Sequence, residues 1–196
     1  MEQEVLSGRV QLNETYMGTG HKSRAAKYMD ESGFSARIKR GLSRQKVCIL
    51  SGVDGSGNAF AHSYGCGIQS RKAVSNLSPH IADSCSITTD DTAVYDSLIR
   101  AKGLFHRICR DCTDHRAAAN LNRINSFHSM IKSYCRGYRG VVSKYINRYV
   151  SLFSYAWKFM KAKGEDLKNS VMDLVRSCSF SITLKELKVF RLFEPP

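Results

Sequence analysis

Three separate segments of the chain carry side chains whose oxygen atoms suit a hard divalent cation. The first is Asn13-Glu14, the second is Thr89-Asp90-Asp91, and the third begins near Asn120. Cleavage of a phosphodiester with two divalent cations requires such ligands to converge from different elements, with the cations roughly 4 Å apart. These segments could supply the ligands if the fold brings them to one place.

The acidic pair of the second segment has two interpretations that the residues alone leave open. Cys85 to Thr89 is a short β-prone run, and Thr92 to Lys102 has the apolar spacing of a helix that ends at Gly103. An aspartate just before a helix is a good N-cap, so Asp90 or Asp91 could serve only as a cap. Asp90 could equally be a cation ligand at the end of a strand.

The third segment predicts an amphipathic helix. Its apolar side chains recur at helical spacing: Leu121, Ile124, Phe127, Ile131 and Tyr134. Asn125, Lys132 and either His128 or Ser129 lie on an adjoining polar face. Asn125 and Lys132 are seven residues apart, which places them two turns and roughly 10 Å apart on nearly one line. One could reach a cation while the other reaches a phosphate, and a solvated helix face is the alternative.

The composition predicts a soluble globular protein with a polyanionic partner. Its 30 Lys and Arg residues exceed its 17 Asp and Glu residues, which gives a net charge of +13. Such an excess favours nucleic acid, because basic residues that meet phosphates release counterions, although an indifferent basic surface is the alternative. No apolar run approaches the roughly 20 residues that span a bilayer, and the acidic start Met1 to Glu4 lacks the pattern of a secretory signal. We therefore expect a cytoplasmic protein with no membrane partner.

The cysteines favour reduced thiols over a disulfide framework, because there are 7 of them and they lie among apolar neighbours. His106, Cys109, Cys112 and His115 recur every three residues, and all four are of types that bind zinc. A single CxxC without a second pair is a weak signal, however, and three-residue steps turn side chains steadily around a helix. We therefore do not expect a structural zinc.

The predicted elements follow the order strand, hairpin, helix, strand, helix, strand and helices. Strands are predicted at Arg9–Met17, Val47–Val53, Ala59–Gly65, Cys85–Thr89 and Leu104–Cys109. Helices are predicted at Ser70–Ile81, Thr92–Lys102, Ala118–Tyr134, Val142–Lys163 and Glu165–Ser177. Gly18 to Lys46 reads as a long, exposed, basic loop. A meander of three strands followed by alternating strands and helices predicts an α/β fold, with helices on the faces of a mixed sheet.

Several of these segments, in order, resemble one protein family. The run Leu121 to Lys132, followed by Gly140 to Tyr145, resembles the ISXO-like transposase domain. More narrowly, it is similar to the branch of bacterial insertion-sequence transposases whose signature is Asp, Asp and Asn with a trailing Lys. Val10 to Tyr16 resembles the first catalytic strand of that family, and Arg40 to Leu50 resembles its segment leading into the hairpin. Thr89-Asp90 resembles its second catalytic site.

The resemblance covers about residues 8 to 157 and implies a ribonuclease-H-like, or retroviral-integrase-like, mixed sheet flanked by helices. We expect this core over residues 1–160 and a helical C-terminal extension over residues 161–196. The family further implies Mg²⁺ or Mn²⁺ as the cofactor and double-stranded DNA, both element ends and target, as the partner. It also implies association with the nucleoid when DNA is bound, and it allows a homo-oligomer on DNA.

The resemblance assigns four positions. Asp90 matches the second metal-binding carboxylate, Asn125 matches the third position, and Lys132 matches the trailing Lys, which contacts DNA. The first position departs from the family, which has Asp followed by Glu-Thr-Tyr, because this chain has Asn13 there. Asp90 would then be the only anion among the three metal ligands, so we expect weak metal binding. Glu14 is a poor substitute, since successive residues of a strand face opposite sides of the sheet.

These observations predict a transposase catalytic core for DNA transposition by two-metal phosphodiester hydrolysis and strand transfer, impaired by Asn13. The alternative is a non-catalytic DNA-binding or regulatory remnant of a transposase. The chain begins eight residues before the first strand, and its one CxxC lies within the core. We therefore expect a truncated copy without the N-terminal DNA-reading module that such transposases usually carry.

Overall fold

The computed structural model describes residues 5–18, 46–68, 70–91, 93–110, 120–138 and 141–160. The strands within these ranges are β1 (Arg9–Gly18), β2 (Lys46–Val53), β3 (Ala59–Cys66), β4 (Ser86–Thr89) and β5 (Phe105–Ile108). The helices are α1 (Arg71–Ser75), α2 (Asp96–Lys102), α3 (Asn122–Gly137) and α4 (Ile146–Phe159). Single 3₁₀ turns occupy Ser78–His80 and Ser143–Tyr145.

The five strands form one mixed sheet in the order β3-β2-β1-β4-β5. The first three strands pair antiparallel, with Asn13 of β1 opposite Ser51 of β2. On its other side β1 pairs parallel with β4, where Gln11 lies opposite Thr88, and β4 pairs parallel with β5. This is the ribonuclease-H-like arrangement, so the predicted fold class is confirmed and β1 is its central strand.

The alternation of side chains along β1 separates two layers of the molecule. Val10 and Leu12 are fully buried in an apolar cluster that includes residues of α1 and α2. Met17 packs against the cluster formed with α3 and α4. Since successive strand residues face opposite sides, one strand with this pattern serves both layers. The predicted strand and its two faces are therefore confirmed.

Helices cover both faces of the sheet through separate apolar clusters. On one face, Phe127 and Ile131 of α3 and Phe153 of α4 are at most 1% exposed. On the other face, Ile87 of β4 and Leu98 of α2 are at most 2% exposed. Each such side chain contributes about 1.5–3 kcal/mol relative to an exposed one. The apolar stripe predicted on α3 is therefore the surface that fixes this helix on the sheet.

Three predicted helices are shorter in the structure. The helix predicted from Val142 begins at Ile146, after the 3₁₀ turn at Ser143–Tyr145. The segment predicted as Ser70–Ile81 contains α1, which ends at Ser75, and then the 3₁₀ turn at Ser78–His80. Pro79 explains the break, because proline has no backbone N–H for an α-helical hydrogen bond and restricts the residue before it. The helix predicted from Thr92 begins at Asp96, and it ends as predicted at Gly103, whose φ of 61° gives a left-handed C-cap.

The remaining predictions concern the loop at 18–46 and the C-terminal part. Residues 19–45 lie outside the described residues, as does the helix predicted at 165–177. The chain divides into compact units at Met1–Lys158 and Phe159–Pro196. Since all but the first two residues of the second unit are outside the described ranges, the core over 1–160 and the helical extension over 161–196 stay predictions. Within the described ranges, no helix is long and apolar enough to cross a bilayer.

Candidate functional site

The first site position, Asn13, is a partly buried residue of β1 whose side-chain oxygen is already engaged. Asn13 Oδ1 accepts a hydrogen bond from the backbone N–H of Glu14 at 2.9 Å. Its backbone oxygen accepts from Ser51 Oγ at 3.1 Å. The other terminal atom of the side chain is the amide nitrogen, which is a donor and cannot ligate a cation. An aspartate here would offer a second, anionic oxygen in place of that nitrogen.

The second position, Asp90, directly follows the last residue of β4. The β1–β4 pairing runs to Gln11 and Thr88, and Asn13 and Asp90 each lie two residues beyond that pair. Neighbouring strands lie about 4.8 Å apart, so the backbones of the two residues lie near one another at this end of the sheet. The charge of the Asp90 carboxylate also reaches Glu14, whose side chain faces the other side of β1 from Asn13. Within the described part of the chain, Asp90 Oδ1 is buried without a hydrogen-bond partner.

That orphaned oxygen bears on the two interpretations of Asp90. The N-cap of α2 is Tyr95, whose side chain makes no capping hydrogen bond. The N-cap interpretation of Asp90 and Asp91 is therefore wrong, because the helix starts too far along the chain. A buried carboxylate oxygen without a donor is costly, and a bound cation would remove that cost. The environment of Asp90 thus fits a cation ligand.

The third position lies on α3, whose first turn is tied to β1 by Gln11. Gln11 Nε2 donates to the backbone oxygen of Asn120 at 2.7 Å, and Gln11 Oε1 accepts from the backbone N–H of Ile124 at 2.9 Å. Gln11 precedes Asn13 by two residues on the same face of β1. Asn125 follows Ile124 directly and is exposed. One side chain therefore fixes the start of α3 relative to the strand that carries the first position.

His128 is the residue of the predicted polar face that the structure places elsewhere. It is 6% exposed, and its Nε2 lies 2.5 Å from Ser51 Oγ. Ser51 is the cross-strand partner of Asn13. Burial, with a smaller contribution from the charge of Lys132, lowers the pKa of His128 to about 3. His128 is thus a neutral contact between α3 and β2, while Ser129 is exposed as predicted.

Lys132 lies one turn beyond His128 and is partly buried. Burial, followed by the charge of Lys46, lowers the pKa of the Lys132 ammonium. Lys46 begins β2 and pairs with Gly18, the last residue of β1. Two cations therefore lie close to one another near the end of the strand that carries Asn13.

Glu14 faces the opposite side of the sheet from Asn13, as predicted. Its Oε2 accepts a hydrogen bond at 2.7 Å from the hydroxyl of Tyr95, a residue that is 1% exposed. Burial raises the pKa of Glu14, the Tyr95 hydrogen bond opposes that rise, and the charge of Asp90 adds to it. Glu14 therefore lies near Asp90 but is held by Tyr95. The sequence predicted this orientation, because successive residues of a strand face opposite sides of the sheet.

The donor set suits a pair of divalent cations poorly. Asp90 is the one carboxylate among the three ligand positions, and Asn13 has its oxygen engaged by the backbone. In the described ranges, no group of three or more His, Cys, Asp or Glu residues could hold a metal ion. Two divalent cations require more anionic ligands to balance their charge. The residues present fit a cation at Asp90, and they do not fit an intact two-metal site.

The zinc-type residues after β4 are only partly described. His106 Nε2 lies 2.9 Å from Thr89 Oγ1, and Cys109 is buried. Cys112 and His115 lie outside the described residues. The prediction that this segment holds no structural zinc therefore stays a prediction.

The contacts that organise this site were not predicted from the sequence. Gln11, Ser51, His128 and Tyr95 join segments that are between 77 and 113 residues apart in the chain. Local patterns carry no signal for such pairs, apart from the strand parity that places Gln11 and Asn13 on one face. All four predicted positions nevertheless fall on β1, α3 and the end of β4, which pack together.

Comparison with known proteins identifies the family. The model of the ISXO2-like transposase domain matches residues 5–158. Among solved structures, the catalytic core domain of BIV integrase has a TM-score of 0.49 and 12% identity over 86% of this chain and 99% of that one. The simian T-cell lymphotropic virus intasome in complex with PP2A regulatory subunit B56 gamma has a TM-score of 0.47 and 12% identity.

The match to this second structure covers 78% of the present chain and 48% of the intasome chain. No curated protein matches the chain. The family match is broader than any single motif, because it includes every described strand and most of α4. The chain belongs to the family of the ISXO2-like transposase domain.

Proposed function

We propose that this protein is the catalytic core of an insertion-sequence transposase whose strand cleavage and strand transfer are impaired by Asn13. The observation that carries the proposal is the buried, unpartnered Oδ1 of Asp90 beside the strand that holds Asn13. A divalent cation held there would supply positive charge that stabilises the developing charge on the phosphodiester oxygens. Asp90 and Asn125 would bind the cation, and Lys132 would hold a phosphate of the DNA.

The impairment follows from charge at the first position. Two unit charges 4 Å apart interact by about 4 kcal/mol in partly screened surroundings, and a divalent cation doubles that figure. Replacing a carboxylate by an amide removes this attraction. A large part of it is a net loss of binding free energy, even when the cost of desolvating the carboxylate is subtracted. We therefore expect cation affinity at least about a hundredfold below that of a site with aspartate at this position, which corresponds to about 2.7 kcal/mol.

The expected partner is double-stranded DNA, at element ends and at the target, with Mg²⁺ or Mn²⁺ as the cofactor. The protein would be cytoplasmic and associated with the nucleoid when it binds DNA, and it would oligomerise there if both ends are joined at once. The net charge of +13 and the closeness of Lys46 and Lys132 support binding to a polyanion.

A second candidate function is a non-catalytic DNA-binding or regulatory protein derived from a transposase. The specific observation in its favour is the engaged amide of Asn13, which leaves one carboxylate at the site. Such a protein would keep the basic surface and bind DNA without cutting it. Its affinity would fall steeply as the salt concentration rises.

Nicking of a supercoiled plasmid in Mn²⁺ separates these candidates. Asn13→Asp should nick the plasmid at a rate at least tenfold above that of the wild type, because it restores an anionic ligand beside Asp90. The double variant Asn13→Asp/Asp90→Ala should lose this gain. Asn122→Asp is the matched control, since it adds the same charge at an exposed residue of α3 and should stay at the wild-type level.

Two results would contradict the proposal. If the wild type nicks DNA, and this activity is lost in Asp90→Ala but unchanged in Asn13→Ala, then Asn13 does not limit the site. If Asn13→Asp binds the plasmid but does not nick it, the non-catalytic function is favoured instead.

A further inference from the structure

A small cavity lies apart from the four site positions, on the face of the sheet that α3 covers. Its volume is about 140 Å³, and its lining includes Gln11 of β1, Thr88 of β4 and Asn120 just before α3. The position is set by the bonds from Gln11 to Asn120 and Ile124, which hold the start of α3 over the strands. The cavity therefore has a wall that is fixed before any ligand arrives.

Three arginines line this cavity: Arg9 of β1, Arg107 of β5 and Arg123 of α3. Among its described lining residues there is no Asp or Glu. Three guanidinium groups around one small space, without a carboxylate between them, repel one another in the absence of an anion. The cavity thus has the charge of an anion site.

The three arginines differ in the contacts that hold them. Within the described ranges, none of them forms a salt bridge. Arg123 Nη1 donates to the backbone oxygen of Asp54 at 2.8 Å, while the Asp54 carboxylate is occupied by Ser56 and Asn58 of its own turn. The guanidinium of Arg107 lies 5.3 Å from the ring centre of Phe105. These contacts position two guanidinium groups and leave most of their donors available, since arginine has five N–H groups.

Size and donor geometry select the ligand. Pockets for drug-sized ligands occupy about 300 Å³ or more, so this cavity is too small for a nucleoside and suits a single tetrahedral anion. Arginine binds phosphate with two parallel hydrogen bonds. Ser86 and Thr88 also line the cavity, and each carries a hydroxyl group of a kind that donates to phosphate. A phosphate group satisfies both the charge and the size of this cavity.

We propose that this cavity binds one backbone phosphate of DNA, separate from the phosphate that reacts. The inference rests on the proposed function only in taking DNA as the source of the phosphate. Gln11 lies two residues, and therefore about 7 Å, along β1 from Asn13 on the same face. A duplex that reaches the candidate site can consequently reach the cavity as well.

The test is DNA binding in EDTA, where cleavage is excluded, with a fluorescent duplex followed by anisotropy over a range of salt concentrations. The variant Arg9→Gln/Arg107→Gln leaves Arg123 and its structural bond intact. It should bind about tenfold more weakly at low salt, and the slope of log K against log salt should fall by about 1 to 2. The matched control is Arg71→Gln/Arg100→Gln, which removes two exposed arginines from α1 and α2 on the opposite face.

The proposal is overturned if the cavity variant and the control variant have the same slope. It is also overturned if the wild type does not bind the duplex but binds inorganic pyrophosphate in calorimetry, because the phosphate then comes from another source. Circular dichroism checks that the variants fold. If the double variant is unfolded, Arg9→Gln alone is measured instead, and its slope of log K against log salt should fall by about half of the change expected for the double variant. Failure of Asn13→Asp to nick DNA would sink the proposed function without affecting these binding results.

Discussion

Asn13 and Asp90 differ in how their side-chain oxygens are bonded. Asp90 has a buried oxygen with no donor, and Asn13 has its only side-chain oxygen bound to the N–H of Glu14. A carboxylate in place of Asn13 would keep this backbone bond with one oxygen and present the other to a cation. The exchange of one oxygen for an NH₂ group thus changes the site from two anionic ligands to one.

At this scale the sequence assigned the proposed site residues to elements but did not predict which side chains they contact. Asn13, Asp90, Asn125 and Lys132 were assigned by family resemblance, and each lies on the element expected for it. The burial of His128 was not predicted, because helical spacing alone places it on the border of the apolar stripe. Only the packing of α3 against β2 decides on which side of that border it falls.

The low pKa of His128 predicts a specific loss of stability in acid. The pKa falls from 6.5 to about 3 on folding, so between these values the unfolded chain binds a proton that the folded chain excludes. Stability therefore falls as the pH falls below 6.5, by up to about 1.4 kcal/mol per pH unit from this residue. Urea denaturation of the wild type and His128→Gln at pH 4.5, 5.5 and 6.5 measures the difference.

His128→Gln should reduce the pH dependence by most of that slope. Burial also lowers the pKa values of His62 and His80. These two histidines therefore make stability fall with falling pH in the wild type and in His128→Gln alike. The control His62→Gln should reduce the slope less, because His62 is only partly buried whereas His128 is 6% exposed. An unchanged pH dependence in His128→Gln would mean that this histidine is not excluded from protonation in the folded state.

At the scale of elements, β1 organises the candidate site because it pairs with β2 and β4 and contacts helices on both faces. The alternation of its residues predicted both faces correctly. The sequence did not predict that α1 would be only five residues long. The apolar spacing continues beyond Ser75, where α1 ends, to the segment that contains Pro79. The sequence also did not predict the bond between β1 and α3, which joins residues 113 positions apart.

Gln11 should therefore stabilise the junction of β1 and α3. Gln11→Ala removes the acceptor of the Ile124 N–H and a donor to the backbone oxygen of Asn120, and both of these hydrogen bonds are partly buried. We expect a loss of about 1–3 kcal/mol in the free energy of unfolding, because buried groups are left without partners. Hydrogen exchange at the amide of Ile124 should also accelerate, and the exposed Ser126→Ala of the same helix serves as the control. Unchanged exchange at Ile124 would show that the helix start is held by packing alone.

At the scale of the whole molecule, one sheet separates two apolar layers that share its central strands. The layer with α3 and α4 contains the only tryptophan of the chain, Trp157, which packs edge-on against Phe127 at 5.2 Å. The layer with α1 and α2 contains no tryptophan. Since β1 and β2 contribute residues to both layers, neither layer can lose its strands without exposing the other.

The two layers should therefore unfold together. Ile131→Ala in one layer and Ile87→Ala in the other each remove a fully buried side chain and should lower the free energy of unfolding by about 2–5 kcal/mol. In both variants the urea transition followed by Trp157 fluorescence should coincide with the transition followed by far-ultraviolet circular dichroism. Met130→Ala on the exposed face of α3 is the control and should change the midpoint little. If Ile87→Ala shifts the dichroism transition but leaves the Trp157 transition in place, the layers unfold separately, and the sheet does not couple the Asp90 end of β4 to α3.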